Sequence, residues 1–198
     1  MGRGGGIDSK QLVGTPRARP AATVPTAAAA PTYRDDYGSK FWHQDGALHR
    51  LEGPAVIELD WEQQLLREHW YRQGLRHRED GPALIVYGEA KLIRIQEWWI
   101  AGELHSEDDP AVLTNHDDGR PHCEQWLQHG LLHRVDGAAF TALDPAGGIS
   151  EQSFYVDGLL HREDGPAKTS VSIDHRETKT YWLRGQRLSA KEFKAMTS

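Results

Sequence analysis

Five histidines, His49, His77, His105, His133 and His161, recur at an interval of 28 residues, and three positions after each stands an acid: Glu52, Asp80, Asp108, Asp136 and Asp164. Imidazole beside carboxylate is the pairing used for general acid–base chemistry and for holding zinc. The spacing argues against both. Zinc needs its ligands about 2 Å away, whereas equivalent positions in a stacked array lie about one unit apart, roughly 10 Å for two strands per unit. Such rings cannot converge on one ion. An imidazole can instead use its two polar nitrogens to tie a turn to neighbouring backbone. His116, His122 and Cys123 are close in sequence but have no further ligands at a recognisable spacing. No phosphate-cradling glycine loop, nucleophile elbow or His-Glu-x-x-His helix occurs. The expectation is a non-enzyme with no catalytic residue, no metal and no cofactor.

The residues that position the histidines keep the same interval. Gly46, Gly74, Gly102, Gly130 and Gly158 stand three before them, and Trp42, Trp70, Trp98, Trp126 and Phe154 stand seven before. After each acid the chain continues Gly-Pro-Ala at 53–55, 81–83 and 165–167, Asp-Pro-Ala at 109–111 and Gly-Ala-Ala at 137–139. A 28-residue unit thus recurs five times between Lys40 and about Ser172. Such periodicity is architecture.

Each unit divides into turns and strands. Segments such as 68–72 mix rings with polar residues, as a half-buried strand does. They end at a two-residue turn, Asp45-Gly46 or Gln73-Gly74 for example, where glycine supplies positive φ. A second turn falls at the Gly-Pro step, since proline cannot donate to a ladder. Runs such as 55–59 and 83–87 read as the next strand, with third turns at Gly88, at 117–119 and at 145–148. The interval is too short for a propeller blade of about 40 residues, and its glycines and prolines break helices. The fold class is all-β, an extended antiparallel meander of repeated β-hairpins, with a three-sided coil of parallel strands as the alternative. Tyr181-Trp182-Leu183-Arg184-Gly185 begins a degenerate sixth unit, after which Ser189 and Glu192 form a capping-box pattern followed by Phe193 and Met196 at helical spacing. A short C-terminal helix should cover the open end. Residues 1–32, rich in Gly, Ala and Pro, read as a disordered tail, and 33–198 as the repeat domain of five units plus the cap.

The remaining side chains divide between framework and surface. The tryptophan row can be core that holds hairpins together or an exposed aromatic strip, and core is the expectation. Tyr71, Trp99, Leu127 and Tyr155 follow immediately and point to the opposite face by the period of two, which makes them candidates for partner contact. Arg50, Arg78, Arg134 and Arg162 should pair with the acids two residues on or with those of adjacent units. In the third copy Ser106 replaces the arginine and Asp109 the glycine, which marks either a partner contact or tolerated drift.

Bulk properties narrow the function. Of the net charge of −6, residues 1–32 hold +3 and the rest −9. An acidic body weighs against nucleic acid as ligand and against adsorption to anionic membranes. Cys123 is the only cysteine, so no intrachain disulfide forms. With no apolar run long enough to span a bilayer and no signal-peptide core, a cytoplasmic protein is expected.

The pattern aromatic-x-x-x-Gly-x-x-His followed by Gly-Pro-Ala, clearest in residues 70–83 and 154–167, resembles the MORN repeat and its bacterial variants. The resemblance covers residues 40 to about 188, although this chain has arginine where MORN units place glycine after the histidine. It implies a hairpin array, and a scaffold in place of an enzyme. Some family members are linked to membranes, and some bacterial proteins with variant repeats look like antitoxin or immunity partners of secreted toxins. The expectation is a protein-binding scaffold, antitoxin-like, with a lipid-associated scaffold as the alternative.

Overall fold

A computed structural model describes residues 30–197, and the expected tail lies, apart from residues 30–32, outside them. The long strands form one 13-stranded sheet in which every neighbouring pair is antiparallel. The meander is therefore correct, and the parallel coil is not.

One unit shows how it is built. Val56–Leu59 and Leu65–His69 pair across a turn whose Asp60 carboxylate accepts from the Glu62 and Gln64 amides at 2.8 and 2.9 Å. The chain then leaves the sheet at Trp70, so the aromatic segment is not the single strand expected. Trp70 donates its amide to the Ala83 carbonyl and accepts from the His77 amide. These two bonds close off a small hairpin, Tyr71–Arg72 with Leu75–Arg76. Its turn residues Gln73 and Gly74 have φ of 51° and 81°. Both are left-handed, the requirement of a two-residue turn that matches strand twist. Leu84–Tyr87 then re-enters the sheet beside Leu65–His69.

The small hairpins make a second ladder alongside the sheet. Gly74, Gly102, Gly130 and Gly158 donate their amides to Leu48, Arg76, Leu104 and Leu132 of the preceding unit, at 2.8–2.9 Å. In return Arg78, Ser106 and Arg134 donate theirs to Trp99, Leu127 and Tyr155 of the following unit. A Cβ at Gly102 would lie 3.4 Å from Leu75 Cδ2, an ordinary contact, so it is the φ of 87° that calls for glycine there.

Where the two ladders meet, side chains must be small. Ala55, Ala83, Ala111, Ala139 and Ala167 are completely buried there, and Val56, Leu84 and Val112 are buried beside them. The core is a strip along this seam. The helix Ala190–Met196 closes the C-terminal end through a complete capping box between Ser189 and Glu192. Phe193 is buried with its ring 4.9 Å from that of Tyr181, while Met196 faces outward.

Candidate partner-binding surface

Each repeat histidine joins one unit to the next. Nδ1 of His49, His77, His105, His133 and His161 lies 3.1, 3.0, 3.2, 3.2 and 3.1 Å from the amides of Gln73, Ala101, His129, Asp157 and Arg184. Each amide belongs to a left-handed turn residue with φ between 49° and 51°. Where Nδ1 meets the amide alone it accepts, which places the ring proton on Nε2. In the fourth copy the Asp157 carboxylate also lies 2.8 Å from Nδ1 of His133. These rings hold the most constrained residue of the neighbouring turn, as the sequence led one to expect. The accepting atom was foreseeable; the donor was not, because it stands 23 or 24 residues away.

The arginines form a different device. Arg50, Arg78, Arg134 and Arg162 lay their guanidinium carbons 3.9, 4.2, 3.7 and 3.9 Å from the ring centroids of Trp42, Trp70, Trp126 and Phe154. Nε of the last three donates to Asp80, Asp136 and Asp164 at 2.8, 2.9 and 2.6 Å. These bonds hold the three carboxyls below their ordinary pKa range. Nη1 of Arg50 and Arg78 donates to the Pro54 and Pro82 carbonyls. Trp42 is buried and the other rings are half-buried, one face covered by a cation. The row is thus a lidded set of rings, in place of a closed core or an open strip.

The glycine after the acid makes room for this lid in the second and fourth copies. At Gly81 and Gly137 a Cβ would stand 3.1 and 3.0 Å from the guanidinium carbon. Neither glycine has a positive φ, so clearance for arginine is the reason for them. In the third copy arginine and glycine are lost together, to Ser106 and Asp109, and the Asp109 amide turns to Ser106 Oγ at 3.4 Å. Among the described residues no cation covers Trp98.

The row proposed for partner contact divides. Leu127 is only 6% exposed and packs with Ala111, Val112, Leu104 and Leu132, so it is core and not contact surface. The small hairpin folds that row back over the seam, which alternation alone cannot foretell. Tyr71, Trp99 and Tyr155 are half-buried. Trp99 donates Nε1 to Glu97 at 2.7 Å, and Arg76 lies over both Trp99 and Tyr71. Exposed apolar groups lie elsewhere: Leu75, Leu131 and Leu159 follow the turn glycines and are each about half exposed. Their shared place in the repeat was the overlooked signal. The carboxylates of Glu52, Asp80, Asp108, Asp136 and Asp164 are also exposed, one per unit.

The rings of His116 and His122 lie 4.6 Å apart and tilted by 47°, and Cys123 is buried, which pushes its thiol pKa up. Among the described residues no group of three or more His, Cys, Asp or Glu could hold a metal. No described helix is long and apolar enough to cross a membrane. No protein-family model matches the chain, and no curated protein does.

Proposed function

We propose that this chain is a non-enzymatic, cytoplasmic repeat scaffold that binds another protein, as an immunity or antitoxin-like partner of a basic toxin. The observation that carries this reading is the row of exposed carboxylates, one at every motif turn, on a body whose net charge is −9 outside the tail. Such a row complements a basic surface and speeds encounter with it. The repeated imidazoles are engaged in joining units, which leaves them as framework. The MORN-like spacing agrees with a scaffold role.

Co-expression with basic, nucleic-acid-directed toxins, beginning with any such protein encoded by a flanking gene, tests the proposal. The expected result is restored growth and a complex that weakens as salt is raised. Unrelieved toxicity, with the chain floating on anionic lipid vesicles, would replace it with the membrane-scaffold reading.

A further inference from the structure

The four intact copies show what the third can hold. In each, a guanidinium lies on an aromatic face; Arg78, Arg134 and Arg162 also bond to the turn carboxylate, and Arg50 and Arg78 to the carbonyl of the following proline. The third copy keeps the aromatic ring as Trp98, the carboxylate as Asp108 and the carbonyl residue as Pro110, and lacks only the cation. Its turn is also the most acidic. Residues 106–109 read Ser-Glu-Asp-Asp and carry −3, against −1 for Arg-Glu-Asp-Gly at 78–81 and 162–165, and zero for Arg-Leu-Glu-Gly and Arg-Val-Asp-Gly at 50–53 and 134–137. Among the described residues neither Asp108 nor Asp109 has a cationic partner. Ser106, Glu107 and Asp108 also line a groove that they share with Trp126, Gln128 and Arg134 of the fourth copy, and Trp98 lies outside its lining.

We propose that the third unit is a receptor for an arginine side chain of a partner protein, which takes the position over Trp98 that the chain's own arginine takes in the other copies. This rests on the protein-binding reading above and names the chemistry of its contact. Arginine fits better than lysine because the site pairs a flat ring with edge-on acceptors, and a planar guanidinium uses both at once. Asp109 alters the geometry in a defined way. Its Cβ stands where glycine elsewhere leaves 3.0–3.5 Å to the guanidinium, so the incoming group sits a few tenths of an ångström further out. There a second carboxylate flanks it, and charge-assisted bonds from two sides replace the single carboxylate of the intact copies.

The test uses the full chain and the peptide acetyl-Gly-Arg-Gly-amide, with its citrulline analogue as the neutral isostere. The indole NMR signal of Trp98, assigned with Trp98→Phe, should shift saturably with the arginine peptide at millimolar concentration and not with citrulline. The double variant Ser106→Arg/Asp109→Gly rebuilds the internal lid. It should raise Tm by about 2–4 °C and abolish the peptide shift. Asp108→Asn, which removes charge and nothing else, should weaken peptide binding several-fold. No saturable shift in the wild type, or an equal shift in the double variant, overturns the proposal. Against a neutralised toxin the double variant should bind about tenfold more weakly. Unchanged toxin affinity would sink the arginine receptor and leave protein binding standing. A normal peptide response without any toxin partner would keep the receptor and remove the antitoxin reading.

Discussion

Replacing His77 separates the framework role of the histidines from a chemical one. Its Nδ1 accepts the Ala101 amide at 3.0 Å, and its side chain is only 20% exposed. The bond contributes about 1 kcal/mol net, and burial of the ring carbons adds about 1 kcal/mol more. His77→Ala should therefore cost about 2 kcal/mol, with the stranded amide partly rescued by water because Ala101 is exposed. Asparagine places Oδ1 where Nδ1 stood, keeps the acceptor and loses the ring. His77→Asn should thus cost about half as much. In urea unfolding followed by tryptophan fluorescence, with a slope of about 2 kcal/mol/M, the alanine midpoint should fall by roughly 1 M and the asparagine midpoint by roughly 0.5 M. His105→Ala should behave like His77→Ala, since its Nδ1 accepts the His129 amide in the same way. Coincident Ala and Asn curves, or one histidine whose loss abolishes function at full stability, would refute the argument that these rings are staples.

The lid makes a second, coupled prediction: Gly81→Ala should destabilise the wild type by about 1 kcal/mol yet be close to neutral in an Arg78→Ser background, a coupling readable by a double-mutant cycle. His69 accepts from Arg76 at Nδ1 and donates from Nε2 to Glu58, and burial above all lowers its pKa below the ordinary 6.5. A histidine depressed in the folded state contributes stability above pH 6.5 that is lost as pH falls through the folded value. The urea midpoint should therefore drop less between pH 7 and 5 in His69→Gln than in the wild type, and parallel profiles would contradict this. Phe193→Ala should cost about 3 kcal/mol and speed amide exchange in Glu177–Leu183, because the buried ring anchors the helix on Tyr181.

Most of the architecture was legible because the interval alone restricts it. Twenty-eight residues with a glycine turn before each histidine leave room for hairpins and little else, and Ser189 with Glu192 announces the helix cap. The break at Trp70 was not legible, since its residues have strand character and leave the sheet only because Ala83 and His77 capture the tryptophan backbone. Leu127 was misplaced for a related reason. Alternation tells which residues share a face, but not which face the small hairpin covers. Arg78, Arg134 and Arg162 were assigned their carboxylates correctly, Arg50 turns to the Pro54 carbonyl, and the ring contact was missed in all four, because a contact eight residues apart across a turn depends on how tightly that turn closes.

The third copy shows why such an array can specialise without falling apart. It has lost its arginine lid, yet His105 still holds the His129 amide, Ser106 still donates its own amide to Leu127, and Gly130 still bonds to Leu104. Each of these three joints uses a backbone group on at least one side, so most substitutions leave part of it in place. The lid uses side chains on two sides, ring and guanidinium, and can be lost in one unit at local cost. Clearance then dictates the companion change: without arginine above it, the glycine position is free to carry a side chain, and here it carries a carboxylate. Paired loss of arginine and glycine is thus what sterics permit, and the added negative charge is the part sterics leave unexplained. A receptor for a cation from outside, as proposed, accounts for that charge: Glu107 and Asp108 repeat the acids of the second and fifth copies, and Asp109 adds one where the arginine is gone.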